Sequence, residues 1–349
     1  MRMLMATWDG AGNFPPERAL LKTLTGRGHE VHVLGHDVQR QAVETDGGRF
    51  MPLAKAAQLD SGDPGHESRV FQEVMFAEAF GEDFAAAIDA VDPSVLLADC
   101  CLAGPLQAAA LSRRPSVSML HTLYSFIEAT PFKAPNAAAD LVLAFSYRGF
   151  DAAAHPPANV VYVGPLRAIA AGVAPWPRRF PDRPRVVVSL STSFQGQQDL
   201  LQRLCNALAG LTVEAVVTTG RGIDPAALTA GENTTVARHV AHEAVLPESD
   251  LLISHAGHGT VMAGASCGAP LLCLPMGRDQ SIVAAQVEAL GIGRVADQHA
   301  SPNDLRAEIN AALADEEVKR AARAFARSVA GQTSAGRAAD LVEQLALRA

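Results

Sequence analysis

Charge is what this chain has little of. Only 19% of its 349 residues are Asp, Glu, Lys or Arg, against the roughly 25% usual in soluble domains. Hydrophobic residues make up 48%. That excludes a disordered chain, which needs low hydrophobicity and high charge. There is no excess of positive charge either, the formal net being −8. A net acidic surface repels phosphate backbones, which argues against general nucleic-acid binding. An anionic ligand would have to be attracted locally. Cysteine is scarce: Cys100, Cys101, Cys205, Cys267 and Cys273. No pair has C-x-x-C spacing, which excludes a zinc ribbon and a thioredoxin motif. The five read as partly buried, reduced thiols of a reducing cytoplasm. No apolar run reaches the roughly 18 residues of a membrane span. The opening MRMLMATWDG lacks the apolar core and cleavage site of a signal peptide. A soluble, cytoplasmic protein is expected. There is no internal repeat and no low-complexity tract.

What is there alternates between strand and helix. At roughly 150 residues per domain, the length suggests two domains. Arg2 to Trp8 reads as an apolar strand. Pro15 and Pro16 suit a first helical turn, and Leu20, Leu21 and Leu24 follow at helical spacing. Gly26 and Gly28 stop that helix, and His29 to Leu34 is the next strand. A βαβ unit this short implies parallel strands and a right-handed crossover. The loop DSGDPGHE precedes a long helix expected over Ser68 to Ala90. Strands are expected at Val95 to Ala98, ending at Asp99, and at Ser116 to Leu120, ending at His121. Leu141 to Phe145 and Val160 to Val163 complete the first sheet. Five prolines between Gly164 and Pro184 cannot continue a helix or central strand. They read as a semi-rigid linker.

The pattern then restarts. Strands are expected at Arg185 to Leu190, Val213 to Thr218, Thr234 to His239, Leu251 to Ser254 and Leu271 to Leu274. Helices are expected near Gln197 to Leu208 and Thr260 to Ser266. Three helical segments close the chain, the first opened by Ser301-Pro302 with Asp304 in the capping-box position. The resulting division is residues 1–164, a linker at 165–184, residues 185–330, and a C-terminal helix over 331–349, with packing back on the first domain as an option.

The segment LLISHAGHGTVMAGASCGAPLLCLPMGRDQ carries most of the chemistry. A strand ends at Ser254, and His255, Gly257, His258, Gly259 and Thr260 form the turn into a helix. Glycines let the backbone approach a ligand, and free N–H groups at the helix start point at it. The helix dipole adds about half a positive charge there. His255 offers a hydrogen bond or a charge, and Thr260 a hydroxyl. That is a diphosphate site. Asp279 and Gln280 follow the next strand, one carboxylate and one amide suited to sugar hydroxyls.

The stretch VARHVAHEAVLPESDLLISHAGHGT…GAPLLCLPMGRDQ resembles the donor-binding box of family-one glycosyltransferases of the GT-B fold. GNFPPERALLKTLTGRGHEV is similar to the family's first loop and helix, VDPSVLLADCCLAGPLQAAA to its strand carrying an acidic residue, and VVYVGPL to the entry into its second domain. VVVSLSTSF resembles that domain's first strand and phosphate-contacting loop. The likeness is strongest to actinobacterial natural-product enzymes. It implies an α/β fold of two Rossmann-like domains facing each other across a cleft. It implies an inverting, metal-independent glycosyltransferase of hexosyltransferase type, moving a sugar from dTDP or UDP to a small natural-product acceptor. The nucleotide sugar is a co-substrate, and no metal and no other cofactor are expected. No membrane or nucleic-acid partner is expected, and a homodimer is compatible with the sequence.

By this resemblance His255 contacts the α-phosphate, and Gly257, His258, Gly259 and Thr260 cradle the diphosphate. Ser191, Thr192 and Ser193 approach it from the first loop of the second domain. Asp279 and Gln280 hold the sugar. His239 stands where the family stacks an aromatic residue on the pyrimidine, and Val240 offers its backbone to the base edge. In the first domain the family places a histidine as general base in the first loop, oriented by an acidic residue. Asp99 matches the acidic residue, but Asn13 stands at the base. An amide has no accessible basic pKa. Asp99 itself, His121 or Asp9 could take the proton, or the acceptor needs no strong base. A non-catalytic partner protein that retains nucleotide binding is the alternative reading.

Overall fold

Short runs of Val, Leu, Ile and Met, bounded by Gly, Pro and Asp, form strands buried on both faces, as parallel sheets require. The computed structural model describes residues 1–63, 65–166, 173–332 and 335–348. It divides into two compact units, Met1–Ala168 with Gly331–Ala349, and Ile169–Ala330.

The first unit holds strands β1 (Arg2–Ala6), β2 (Glu30–Gly35), β3 (Arg49–Pro52), β4 (Val95–Asp99), β5 (Ser116–Leu120), β6 (Leu141–Ala144) and β7 (Val160–Tyr162). All pair in parallel in the order β3-β2-β1-β4-β5-β6-β7, with Leu4 opposite both His32 and Leu96. Its helices up to this point are α1 (Phe14–Gly26), α2 (Arg40–Thr45), α3 (Glu67–Val70), α4 (Glu78–Val91), α5 (Ala103–Ser112), α6 (Tyr124–Glu128) and α7 (Lys133–Ala137). Apolar clusters cover both faces of the sheet, one with Phe80, Phe84 and Leu106, the other with Leu20, Leu24 and Met119.

The second unit repeats the plan. Strands β8 (Arg185–Ser189), β9 (Glu214–Thr218), β10 (Thr234–Ala237), β11 (Leu251–Ser254), β12 (Leu271–Cys273) and β13 (Gly293–Val295) form a parallel sheet in the order β10-β9-β8-β11-β12-β13. Its helices are α8 (Gln198–Ala209), α9 (His242–Val245), α10 (His258–Cys267), α11 (Gln280–Ala289), α12 (Pro302–Ala314) and α13 (Glu316–Val329). Ser301 caps α12, its hydroxyl accepting from Asp304 N and donating to the Asp304 carboxylate at 2.7 Å. In both sheets the strand order reverses, between β1 and β4 and between β8 and β11. Ligands of such sheets bind beyond the carboxyl ends of the strands at that reversal.

The last helix, α14 (Ala335–Leu347), returns to the first unit. Arg27 donates to Asp340 at 2.7 Å and to Glu343 at 3.0 Å, and His29 meets Glu343 at 2.7 Å. Beneath these ion pairs Ala338, Ala339 and Val342 are fully buried. Burying a valine side chain contributes roughly 1.5–3 kcal/mol, more than an exposed ion pair's 0–1 kcal/mol.

Two expectations need correction. The long helix over Ser68 to Ala90 is broken. After α3 the backbone widens into a π-helical turn over Phe71–Met75, and Ala77 is extended before α4 begins. The break frees Phe76, which stacks on Phe132 at 4.9 Å, while Phe80 and Phe84 enter the core. One straight helix would bury all three on a single stripe. The proline-rich stretch is also no plain linker. Residues 167–172 lie outside the described residues, but from Trp176 the chain is bound to the second unit. Trp176 N donates to Ala244 O at 2.8 Å, and the buried Arg185 guanidinium donates to Trp176 O and Pro177 O, each at 3.1 Å. Glu214 accepts from Arg185 Nε at 3.1 Å, so that buried charge is paired and hydrogen-bonded. Among the described residues no helix is long and apolar enough to cross a membrane.

Candidate active-site clusters

The first cluster lies at the carboxyl ends of β8 and β11. Beyond Ser254 the chain passes through Ala256, whose φ of 65° is left-handed. A non-glycine residue held there signals a locally determined turn. Gly257 then caps α10, and Val261 N is the first amide to bond back, to Gly257 O at 3.0 Å. The amides of His258, Gly259 and Thr260 belong to the first turn, which has no intrahelical acceptors. A Cβ on Gly259 would meet nothing within 4 Å, so the approach to these amides is open.

His255 sits over this turn. A Cβ on Gly257 would lie 2.6 Å from both Cε1 and Nε2 of its ring, so glycine is what lets the imidazole pack there. The ring is only 7% exposed, and its Nδ1 is buried with no hydrogen-bond partner. Burial pushes the His255 pKa down to about 4, with Asp279 pulling it up and Arg278 pushing it further down. The ring is therefore neutral at pH 7, with a buried nitrogen unsatisfied. Such an atom costs about 1–3 kcal/mol until something bonds to it.

The loop after β8 faces the same sheet end. Ser191 Oγ and Ser193 Oγ lie 3.0 Å apart, and Gln195 Nε2 donates to Ser191 Oγ at 2.7 Å. Thr192 is exposed. Gly220, at φ 75°, lets the β9 loop close against it, since a Cβ there would meet Ser191 O at 2.5 Å. Gln280, expected to hold the sugar with Asp279, opens α11. It is 1% exposed, its carbonyl accepts from Met276 N and Gly277 N, and its amide donates to Gln195 at 2.9 Å. It braces two loops. Asp279, one residue earlier, is half-buried at the N-cap of α11. His239 is exposed beyond β10 and Val240 is buried. His242 contacts Ser189 Oγ at 3.1 Å, tying that loop to β8.

The second cluster lies at the carboxyl ends of β1, β4 and β5. Asp99 is fully buried. Its Oδ1 accepts from Cys101 N at 2.7 Å, and its Oδ2 accepts from Asn13 Nδ2 at 3.0 Å and faces His121 Nδ1 at 3.1 Å. Burial alone would raise the Asp99 pKa, but His121 and the hydrogen bonds outweigh it and hold the carboxyl below its ordinary range. For His121 burial opposes the charged ring, yet Asp99 and then Cys100 raise its pKa well above the usual value. His121 is 16% exposed. Its Nδ1 is turned to Asp99.

Asn13 is a brace. Its amide also donates to Trp8 O at 3.0 Å, and its carbonyl accepts from Gly10 N at 3.1 Å. Asp9, one of the alternatives expected for the base, follows β1. It is buried, and its carboxylate accepts from Ser61 N at 2.8 Å, anchoring the loop before α3. Sequence reasoning missed Glu17. It accepts from Thr7 Oγ1, and burial together with the Asp99 charge raises its pKa well above normal. Glu17 is thus biased toward its protonated form. The signal was present: Glu17, Leu20, Leu21 and Leu24 share one helical stripe, so an acidic residue sits on the apolar face of α1.

This double arrangement matches solved structures over almost its whole length. The glycotransferase of kitacinnamycin superposes with a TM-score of 0.82 at 22% identity, covering 99% of this chain and 98% of that one. The glycosyltransferase VinC, solved in complex with DTDP, superposes with a TM-score of 0.74 at 20% identity, covering all of both chains. The chain has the GT-B fold of these glycosyltransferases. The sequence of this GT-B chain agrees with its fold. Residues 202–345 match the family described as Erythromycin biosynthesis protein CIII-like, C-terminal domain. The oleandomycin glycosyltransferase of Streptomyces antibioticus is 31% identical over 187 residues, which is 52% of this chain and 43% of that protein. The chain spans under half the length of the curated relatives it matches.

Proposed function

We propose that this chain transfers a sugar, with inversion, from a dTDP- or UDP-sugar to a small natural-product acceptor. The observation that carries the proposal is the buried, unpartnered Nδ1 of His255 beside the open N-terminus of α10. Those amides and the imidazole supply fixed donors where negative charge develops on the leaving diphosphate, so the donor site needs no cation. Ser191, Thr192 and Ser193 contribute hydroxyls and amides, Asp279 takes the sugar, and His239 and Val240 take the base. Gln280 positions the loops that carry Ser191 and Asp279.

The acceptor is assigned to the first unit, with His121 as base. In the neutral form of the His121 ring, Nε2 takes the acceptor's hydroxyl proton as the oxygen attacks the anomeric carbon. The bond from that carbon to the diphosphate breaks, and its electrons leave on the phosphate oxygen. Asp99 holds the ring through Nδ1 and stabilises the imidazolium that forms. Asn13 fixes Asp99 and exchanges no proton. Action in the cytoplasm is part of the same reading.

His121→Ala and Asp99→Asn test it. Each is expected to lower kcat by about 10²- to 10⁴-fold, the usual worth of a general base, with donor affinity unchanged. Full turnover in both variants would remove the pair from catalysis. The Asn13 position also favours a second reading, a partner protein that binds nucleotide without chemistry. A purified chain that binds dTDP but neither transfers nor hydrolyses any nucleotide sugar would establish that reading instead.

A further inference from the structure

The end of β4 carries a set of donors that the proposed reaction only half uses. Successive strand residues point to opposite faces, so adjacent cysteines would normally diverge. Here the chain leaves the strand at Asp99, and the Cys100 and Cys101 sulfurs come 3.8 Å apart. Cys100 Sγ is 3.4 Å from His121 Nδ1, and that nitrogen is 3.1 Å from Asp99 Oδ2. One oxygen, two sulfurs and one nitrogen all lie within 4.8 Å of one another.

We propose that Asp99, Cys100, Cys101 and His121 form a binding site for a thiophilic divalent cation, zinc foremost, that blocks the His121–Asp99 pair when filled. Zinc takes four tetrahedral ligands, at about 2.3 Å from sulfur and about 2.0–2.2 Å from nitrogen and oxygen. A tetrahedron with those radii has edges of about 3.8 Å between sulfurs, about 3.6 Å from sulfur to nitrogen and about 3.4 Å from nitrogen to oxygen. The three observed separations fall within a few tenths of an ångström of these. Two soft sulfurs select against magnesium and calcium. The outer shell is also built. Asn13 and the Cys101 amide orient Asp99, and Asn136 Nδ2 donates to Cys100 O at 2.9 Å. Such outer partners fix ligand orientation and hold affinity. The partly exposed edge of His121 is the way in.

The consequence for transfer rests on the base assignment above; the binding does not. A neutral imidazole that gives its Nδ1 lone pair to a metal carries its proton on Nε2. That nitrogen then has no lone pair for the acceptor's proton, and Asp99 is withdrawn from the ring at the same time.

The test titrates the intact, reduced chain with Co²⁺ and follows thiolate-to-cobalt absorption. One equivalent is expected to bind with that absorption, to be displaced by Zn²⁺, and to be lost in the Cys100→Ser, Cys101→Ser double variant. A variant with Cys205, Cys267 and Cys273 replaced by serine retains it. Absence of the absorption in the wild type, or its survival in the double variant, overturns the site. Should the double variant not fold, His121→Asn serves, because that side chain is partly exposed; affinity unchanged within tenfold overturns the proposal. Transfer assays separate the two readings. Inhibition by Zn²⁺ that a chelator reverses supports both. Cobalt absorption with uninhibited transfer keeps the metal site and overturns His121 as base.

Discussion

Replacing Gly257 by alanine is expected to weaken nucleotide binding through His255 alone. The backbone at Gly257 has φ −59° and ψ 129°, which alanine adopts without strain, so the backbone itself is not disturbed. The new Cβ would stand 2.6 Å from Cε1 and Nε2 of the imidazole. The ring must retreat by most of an ångström, and it is buried beside the left-handed Ala256, with little room to do so. A hydrogen bond to a charged group contributes about 1.5–3 kcal/mol. Losing it weakens binding by roughly tenfold to a hundredfold. The assay is calorimetric titration with dTDP and UDP, with thermal melting as a folding control. A double-mutant cycle isolates the cause. In a His255→Ala background the space is clear, so Gly257→Ala should then cost less than about twofold in Kd, well below 1 kcal/mol. Unchanged affinity in the single variant, or an equal loss in both backgrounds, refutes the reasoning.

Two predictions concern stability. His36 and His255 are both pushed by burial from an ordinary 6.5 down to about 4. Folding favours their neutral forms, so their contribution is complete above pH 6.5 and is lost as pH falls toward 4, by at most about 3 kcal/mol each. Urea midpoints should fall steeply between pH 6.5 and 4.5. His36→Gln, which keeps an acceptor for Leu59 N, should flatten that limb, and an identical slope would count against the assignment. Gly104 packs α5 on α4, and a Cβ there would stand 2.9 Å from Ala77 O and Gly81 N, both backbone. Gly104→Ala should cost about 1–3 kcal/mol as overpacking, read as a lower Tm; an unchanged Tm would show that the helices separate freely.

The strands were legible because parallel strands are near-continuous apolar runs, and β1, β4, β5, β8 and β11 fall where those runs lie. The connecting helices were less so. Helix α5, AGPLQAAALS, has no polar face to give a 3.6-residue rhythm, and it starts around Pro105. The edge strand β3, RFMP, is too short and too exposed to announce itself. The α3–α4 break leaves the helical period intact on both sides, so only packing of Phe76 on Phe132 reveals it. The turn into α10 was legible as geometry, since H-x-G-x-G after a strand marks a strand-to-helix passage locally. The Cys100–Cys101–His121 grouping was not. Its members come from two strand ends, and strand alternation predicts the wrong faces for the cysteines. The partners of Gln280 and Asp9 were not legible either, because a polar side chain beyond a strand end does not announce in sequence which backbone amides it will bond.

The docking of α14 on α1 means that the first unit is discontinuous in sequence. During synthesis, β1 to β7 emerge from the ribosome well before the helix that covers Leu20 and Leu24. The second unit is fully translated before that cover arrives. Folding of the first unit should therefore finish last, although it begins first. A chain stopped after Ala330 would leave an apolar patch on α1, with Arg27 and His29 deprived of Asp340 and Glu343, and would be the form most prone to aggregate or be degraded in the cell.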